Sequence, residues 1–326
     1  MSHSIRISPK IKENESCFRE VFKDCADILF HTMELGRGKT VDCFVIYLEV
    51  AVSNMILEKS VLGKFINELC KVSGDEILER VEKNALGISD AVQLDTAEDV
   101  VAGVFAGDAV FFIDGYAHAV KISEKGYPSM GVSEADREKV LRGSKEGFTD
   151  SVKTNSALIR KRIRNPGMKV KEQTIGRRSQ TKIQILYIEG LARSEILEEL
   201  ETKLSDFEID GVLDSGVIEQ LTKENWLSPF PQFQTTERPD KCAMELLNGR
   251  VVLLVDNSPV GLLIPAVFND FLQVSEDEYQ TFELATFLRV LRYLAVGCAM
   301  LFSGLYLAVT DFHTQVLPTN LILSFA

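Results

Sequence analysis

Four acidic residues stand directly after predicted apolar strands, where polar chemistry is often found in α/β proteins. Ligands of open α/β sheets commonly bind beyond the carboxyl ends of strands, so these carboxylates predict a small polar ligand in a cleft between two lobes. Two adjacent arginines could hold the negative part of such a ligand. The candidate binding residues are Glu49, Asp114, Glu189, Asp256, Arg177 and Arg178. An acidic residue that ends a strand is also typical of a turn, and this interpretation stays open.

No residue pattern in the sequence predicts an enzyme, a metal site or a cofactor. The stretch GRGKT at 36–40 resembles the end of a phosphate-binding loop, but Met33 stands where the motif requires its first glycine. The four histidines lack the spacing of metal ligands, and the sequence contains no G-x-S-x-G motif. We therefore expect no catalytic residue, no metal ligand and no cofactor.

Composition and charge indicate a folded protein of about two domains that does not bind nucleic acid. The 326 residues are 45% hydrophobic and 26% charged, and their formal net charge is −12. This length is typical of two ordinary domains, and an acidic chain is poorly suited to neutralise phosphates. The six cysteines form no C-x-x-C pair, which favours reduced thiols on the cytosolic side of a membrane.

The elements that would position the candidate residues occur twice in the chain. The segment IYLEVAVSNMIL at 46–57 matches LYIEGLARSEIL 140 residues later, and the segment 96–122 matches 238–264 at an offset of 142. In the first of these blocks, an apolar strand precedes a helix. Such agreement over two separate blocks predicts two copies of one structural unit.

Each copy is predicted to fold as a sheet with helices. A helix ends at Gly107 or Gly249, and the strand AVFFI or VVLLV follows at once. A tight turn at 114–115 or 256–257 then leads into another strand. The predicted fold class is α/β, with two similar subdomains whose sheets mix parallel and antiparallel strands, followed by the start of an α-helical membrane domain.

The segment between the copies is predicted to be a helical and basic linker. Residues 146–164 show the apolar spacing of one long helix, and Asn165, Pro166 and Gly167 would end it. The run 160–178 is basic in an otherwise acidic chain. Two interpretations stay open: a solvated face that pairs with the acidic lobes, or a contact with phosphate, anionic lipid or a partner subunit.

The C-terminal region is predicted to cross a membrane. The eighteen residues at 293–310 carry no formal charge, which meets the lower limit for crossing a hydrocarbon core of about 30 Å. Arg289 and Arg292 precede them and Asp311 follows, so the positive-inside rule places the N-terminal domain in the cytoplasm. A second apolar run begins at Leu317, and the chain is expected to be cut off within a second membrane element.

These patterns divide the chain into five predicted regions. They are a polar lead-in at 1–40, a first α/β subdomain at 41–145, the linker at 146–182, a second α/β subdomain at 183–278 and the start of a transmembrane domain at 279–326. Hinge movement between the two lobes is expected to reach the first membrane helix through residues 279–292.

Five blocks of the sequence, in order, resemble the GerA-type spore germination proteins, which include the SpoVAF proteins. The blocks are EGFTDSVKTNSALIRKRIRNP (146–166), TIGRRSQTKIQILYIEGLA (174–192), IDGVLDSGVIEQL (209–221), SPFPQFQTTERPDKCA (228–243) and LLVDNSPVGLLIPAVFNDFLQ (253–273). The resemblance extends over residues 42–319. It departs from the family at 49–52, where EVAV replaces an acidic residue followed by glycine.

The resemblance implies an A subunit of a nutrient germinant receptor in the inner membrane of spores, with its N-terminal domain in the cytoplasm. Such a subunit works with B and C subunits, and the family is thought to form a pentameric, ligand-gated cation channel. The resemblance implies no catalytic residue. Two alternatives stay open: a SpoVAF-type accessory to dipicolinate release, and a regulatory module that binds a small ligand.

Overall fold

The computed structural model of the chain contains two compact units. The first comprises residues 1–139 and 144–266, and the second comprises 140–143 and 267–326. The structure describes residues 6–50, 61–82, 91–123, 135, 138–139, 143–223, 231–272 and 279–312. Both predicted copies of the repeat lie in the first unit, and the predicted membrane helix lies in the second.

The first lobe of the larger unit is a five-stranded sheet with helices on both faces. Its strands are β1 (Ile28–Leu35), β2 (Val41–Leu48), β3 (Ala91–Leu94), β4 (Ala109–Ile113) and β5 (Ala119–Ile122). They lie in the order β1-β2-β4-β5-β3. Its helices are α1 (Ile11–Val21), α2 (Val61–Leu69), α3 (Gly74–Glu82) and α4 (Ala97–Phe105).

The second lobe repeats this arrangement element by element. Its strands are β6 (Met168–Ile175), β7 (Thr181–Ile188), β8 (Gln234–Thr236), β9 (Val251–Val255) and β10 (Gly261–Ile264). They lie in the order β6-β7-β9-β10-β8, which is the order of the first sheet. Its helices are α5 (Val152–Arg160), α6 (Ser194–Ser205), α7 (Ser215–Thr222) and α8 (Pro239–Leu247). The predicted α/β class and internal duplication are confirmed.

The pairing within the sheets differs from the prediction in one respect. Every ladder between the described strands is antiparallel, so the predicted mixture of parallel and antiparallel strands is wrong. A parallel neighbour is usually reached by a single helical crossover. Between β2 and β4 the chain instead forms α2, α3, the edge strand β3 and then α4. Strand β4 therefore enters beside β2 from the opposite end of the sheet and runs antiparallel to it.

Each lobe has three layers because both faces of its sheet are covered. In the first lobe, α1 and α4 pack on one face and α2 and α3 on the other. In the second lobe, α5 and α8 cover one face and α6 and α7 the other. The central strands β4 and β9 are buried along their whole length, as expected for continuous apolar runs that face a core on both sides.

Glycines end the same helix in both lobes. Gly107 follows α4 with φ of 91°, and Gly249 follows α8 with φ of 85°. A Cβ on Gly249 would lie 2.8 Å from the carbonyl oxygen of Leu191, so this position needs glycine for space as well as for its left-handed backbone. The predicted helix ends and the turns at 114–115 and 256–257 are confirmed.

The segment predicted as a linker contributes to the core of the second lobe. Helix α5 occupies only Val152–Arg160 of the predicted helix at 146–164, because the Ser151 side chain caps it by accepting a hydrogen bond from the Thr154 backbone N–H. Most residues of α5 are buried, and β6 follows as part of the sheet. In the same way, the predicted lead-in at 1–40 contains α1 and β1.

The second unit contains a short 3₁₀ helix, Phe268–Leu272, and the long helix α9, Phe282–Phe312. The stretch Phe282–Val309 of α9 contains an apolar segment of 18 residues with a mean hydropathy of 1.6, and none of this segment is buried. By length and composition it can cross a membrane. The apolar run from Leu317 lies outside the described residues.

Candidate functional site

Asp114 and Asp256 lie at corresponding places, and each caps a helix that is distant in sequence. The Asp114 Oδ1 atom accepts a hydrogen bond from the Ile11 N–H at 3.1 Å. The Asp256 Oδ1 atom accepts one from the Val152 N–H at 3.0 Å. Both carboxylates therefore satisfy a backbone donor in the first turn of α1 or α5. Asp114 and Asp256 therefore have the hydrogen bonds of structural turn residues.

Glu49 reaches from the first lobe into a group of polar residues on the second. It forms an ion pair with Lys153, which lies in the first turn of α5. Nearby, Glu172 accepts hydrogen bonds from Lys182 Nζ at 2.7 Å and from Gln184 Nε2 at 3.0 Å. We call these five residues the interlobe charge cluster.

The electrostatics of the interlobe charge cluster favour the charged forms of Lys182 and Glu172. The hydrogen bond to Glu172 raises the pKa of Lys182, and the charges of Glu49 and Asp256 act in the same direction. Burial raises the pKa of Glu172, but the hydrogen bonds from Lys182 and Gln184 and the positive charge of Lys153 outweigh burial and lower it. Of the candidate residues, Glu49 belongs to the cluster, and Asp256 lies close enough for its charge to act on Lys182.

Glu189 and the two candidate arginines lie at opposite ends of β7. Glu189, whose side chain is 69% exposed, lies 3.6 Å from Lys169 at one end of β7. Arg177 and Arg178 lie before the other end of β7, roughly 25 Å away, because a strand rises about 3.3 Å per residue. One small ligand could not contact both ends. The backbone N–H groups of the two arginines donate to the carbonyl oxygens of Ile209 and Asp210.

An open cleft of about 930 Å³ adjoins Arg177 in the second lobe. It is lined by the β6–β7 turn and by the connection between α6 and α7. The corresponding turn of the first lobe is GRGKT at 36–40, which joins the antiparallel strands β1 and β2. A phosphate-binding loop instead joins a strand to a helix N-terminus, so GRGKT does not form one.

A buried ion pair between the lobes is a feature that sequence reasoning missed. Arg160 donates to both carboxylate oxygens of Asp27, at 2.8 and 3.0 Å, and also to the carbonyl oxygen of Met168 at 2.8 Å. Its guanidinium lies 5.0 Å from the centre of the Phe105 ring. Burial lowers the pKa of Arg160, but the charge and hydrogen bonds of Asp27 outweigh burial and raise it. Asp27 lies 133 residues earlier, so no local pattern reveals the pair.

Backbone hydrogen bonds join the lobes beside this ion pair. The Val170 N–H donates to the Asp24 carbonyl at 2.8 Å, and the Ala26 N–H donates to the Val170 carbonyl at 2.9 Å. Cys25 thereby pairs in parallel with the edge strand β6. We call these contacts, together with Asp27 and Arg160, the interlobe joint. Because it combines a strand pairing with a buried ion pair, it opposes hinge movement between the lobes.

The basic run at 160–178 is largely neutralised by acidic side chains. Arg160 pairs with Asp27, Arg162 with Glu146 at 2.7 Å, and Lys171 with Glu201 at 2.6 Å. These pairs support the interpretation of the run as a face that pairs with the acidic lobes.

The segment Thr236 to Asp240 anchors the start of α8 through buried polar contacts. Arg238 is 1% exposed and binds the Asp240 carboxylate with two hydrogen bonds. The Glu138 carboxylate accepts from the Glu237 N–H at 3.0 Å and from Lys241 Nζ at 3.1 Å. Burial raises the pKa of Glu138, but Lys241 and these hydrogen bonds outweigh burial and lower it. The TERPD sequence thus has a structural role in this lobe.

Comparison with known proteins identifies the family. The family described as Bacillus/Clostridium GerA spore germination protein matches residues 16–326. The chain belongs to this family. The uncharacterized membrane protein YfkQ of Bacillus subtilis strain 168 is 34% identical to it over 322 residues, which are 98% of this chain and 62% of YfkQ. Spore germination protein KA of the same strain is 30% identical, over 99% of this chain and 59% of the relative.

A solved structure shares the fold of this GerA family member. It is the N-terminal domain of the A subunit of the Bacillus megaterium spore germinant receptor GerK3, with a TM-score of 0.61 and 26% identity. The match covers 82% of this chain and 98% of that domain. The chain spans about three fifths of the length of the curated relatives above. Family membership indicates a role related to spore germination, and the apolar helix α9 agrees with association with a membrane.

Proposed function

We propose that this chain forms the two-lobed domain and first membrane helix of an A-type germinant receptor subunit, and that it contributes to nutrient-triggered cation release from spores. The observation that carries this proposal is the similarity to the N-terminal domain of a receptor A subunit, in a chain that continues into α9. In this proposal the lobes lie in the cytoplasm, since Arg289 and Arg292 precede the uncharged part of α9.

The proposed subunit acts in the inner membrane of the spore together with B and C subunits, as part of a pentamer that lets cations pass. It acts as a receptor and channel component and not as an enzyme. The interlobe joint supports a mechanism in which the two lobes move as one body, because separating them would break the two hydrogen bonds between Arg160 and Asp27 and the backbone hydrogen bonds of Val170.

The proposal can be tested by deleting the gene in the organism that carries it. Spores without the gene should fail to release monovalent cations after nutrient addition, while germination triggered by pressure should proceed at the normal rate. Restoring the gene should restore the nutrient response. Ion-selective electrodes measure the cations, and terbium fluorescence measures dipicolinate.

The same measurements distinguish the SpoVAF-type alternative. An accessory to dipicolinate release would leave cation release intact but slow the appearance of dipicolinate, whichever trigger is used. That pattern would contradict the receptor proposal. An unchanged response to nutrients and to pressure, with normal cation and dipicolinate release, would contradict both.

A second candidate function, binding of a small polar ligand at the interlobe charge cluster, is favoured by Gln184. This side chain is 2% exposed, and its Oε1 atom has no hydrogen-bond partner among the described residues. A buried acceptor of this kind favours a ligand or water that donates to it. A thermal shift with amino acids, sugars or phosphates that is lost in Glu49→Gln would support this function. No shift with any of them would count against it.

A further inference from the structure

The 3₁₀ helix Phe268–Leu272 has the reverse of the polarity expected in water. Asp270 is buried, and its carboxylate accepts a hydrogen bond from the Val267 N–H at 2.8 Å. Val267, Phe268 and Phe271 are 43%, 55% and 46% exposed. Water-facing segments usually expose their carboxylates and bury their phenylalanines. The exposed apolar side chains of this element form one patch that is suited to an apolar environment.

This 3₁₀ helix is attached to α9 at one level along the long helix. Arg292 Nη1 donates to the carbonyl oxygen of Leu272 at 2.5 Å. One residue further along α9, the Tyr293 hydroxyl is hydrogen-bonded to the Asn269 side chain. These two contacts fix the position of the exposed phenylalanines relative to the start of the uncharged stretch of α9.

The level of Arg292 and Tyr293 corresponds to the surface of a bilayer. Helix α9 has 31 residues and is therefore about 46 Å long, whereas the hydrocarbon core is about 30 Å thick. The stretch from Tyr293 to Phe312 spans about 30 Å by itself. Tyr293 then lies at the interface, where tyrosine is enriched, and Arg289 and Arg292 lie on the headgroup side of it.

We propose that the 3₁₀ helix is a lipid-binding anchor, with Val267, Phe268 and Phe271 inserted at the boundary between lipid headgroups and acyl chains. Its contacts with Arg292 and Tyr293 of α9 bring these side chains to the bilayer surface, and the positive charges of Arg289 and Arg292 favour anionic headgroups. The competing occupants are a further membrane segment of the whole protein and a second copy of the chain. Lipid is the favoured occupant, because the 3₁₀ helix is held at the level where α9 meets the headgroups.

The proposal can be tested with tryptophan placed on the exposed face. The full chain with Trp226→Phe and Phe271→Trp is reconstituted in vesicles of phosphatidylcholine and phosphatidylglycerol. The lipids are brominated either close to the headgroup or near the chain ends. The same measurement with Phe268→Trp gives an independent position. In a parallel set of variants that retain Trp226, the fluorescence of the parent chain is subtracted from that of each variant.

Two control positions calibrate the result. Leu213→Trp, at a site 77% exposed in the second lobe, should emit as in water and resist quenching by both lipids. Leu301→Trp, in the middle of the uncharged stretch, should be quenched most by the deep bromines. We expect tryptophan at 268 and 271 to be quenched several-fold more by shallow bromines than by deep ones. Emission as in water would overturn the proposal, and so would blue-shifted emission without quenching, which would indicate a protein partner.

Discussion

Arg160 and Arg19 occupy corresponding positions in α5 and α1, yet their surroundings differ. Arg160 is fully buried against Asp27, whereas the Arg19 side chain is 54% exposed and pairs with Glu15. Removing one member of a buried ion pair leaves an uncompensated charge, which costs about 3–5 kcal/mol. We therefore expect Arg160→Met to lower the free energy of unfolding by about that amount. Urea unfolding of the full chain in detergent, followed by circular dichroism, measures the change.

Arg19→Met is the matched control, because an exposed ion pair contributes at most about 1 kcal/mol. The double variant Asp27→Leu with Arg160→Met should recover part of the lost stability, since it leaves no unpaired charge in the joint. Equal effects of the Arg19 and Arg160 changes would contradict the importance of the joint.

The buried Cys43 thiol gives stability a dependence on alkaline pH. Burial raises its pKa to about 12, and the negative charges of Asp42 and Asp114 act in the same direction. The unfolded chain ionises this thiol near pH 9, so its contribution to stability is complete below pH 9. That contribution is lost as the pH rises from 9 towards 12. We expect the parent chain to lose more stability over this range than Cys43→Ala does.

Thermal unfolding of both chains across this pH range measures the difference. Cys17→Ala is the control, because Cys17 is not among the groups whose charges act on Cys43, and this variant should follow the parent curve. A Cys43→Ala variant that follows the parent curve would show that Cys43 does not contribute to the loss.

At the scale of elements, Asp114 and Asp256 connect each sheet to a helix that precedes it in the chain. An acidic cap of this kind contributes about 1 kcal/mol, so we expect Asp256→Ala and Asp114→Ala each to lose about that much stability. Asn should preserve most of it, because its side-chain oxygen still accepts the backbone hydrogen bond. Chemical unfolding of the four variants measures these effects.

The same variants distinguish capping from ligand binding. Glu189→Gln serves as the control, because the exposed Glu189 side chain makes only a long contact with Lys169 among the residues that the structure describes. If Asp256→Ala kept full stability but abolished the nutrient response of spores, the predicted ligand-binding role of this carboxylate would be favoured over capping.

Elements whose boundaries depend on local chemistry could be predicted from the sequence. The strands β4 and β9 and the glycines that precede them are unambiguous, since an apolar run directly follows a helix-ending residue in both copies. The edge strands β1 and β6 could not be predicted in the same way. β6 reads MKVKEQTI, with polar side chains in its second half, and it becomes a strand only because β7 and residues 24–26 pair with it.

The candidate site was predictable only in part, for a related reason. The carboxylates at strand ends are visible in the sequence, but their partners are about 100 residues away: Val152 for Asp256, and Lys153 for Glu49. Nothing near Arg160 in the sequence indicates its pairing with Asp27. Contacts of this kind depend on how the two lobes are joined, and the repeat pattern alone does not contain that information.

At the scale of the whole molecule, the interlobe joint changes how the duplication is understood. Two copies of one unit predict two lobes that hinge, yet both lobes belong to one compact unit. The first lobe contributes Asp27 and the strand pairing of Cys25, and the second contributes Arg160 and β6. The two copies have therefore diverged at the surfaces where they meet, since the counterpart Arg19 pairs with Glu15 and lies over the Phe30 ring within its own lobe, and it forms no second joint among the described residues.

The charges beside α9 predict which side of the membrane carries the lobes. Arg289 and Arg292 precede the uncharged stretch, so the lobes should remain in the cytoplasm. Cys70 is exposed on the first lobe and reports this orientation. A maleimide that cannot cross membranes should leave the chain unlabelled in intact cells and should label it in inverted vesicles. Cys70→Ser should lose most of that label. Labelling of Cys70 in intact cells would contradict the predicted orientation, and with it the proposal of a cytoplasmic receptor domain.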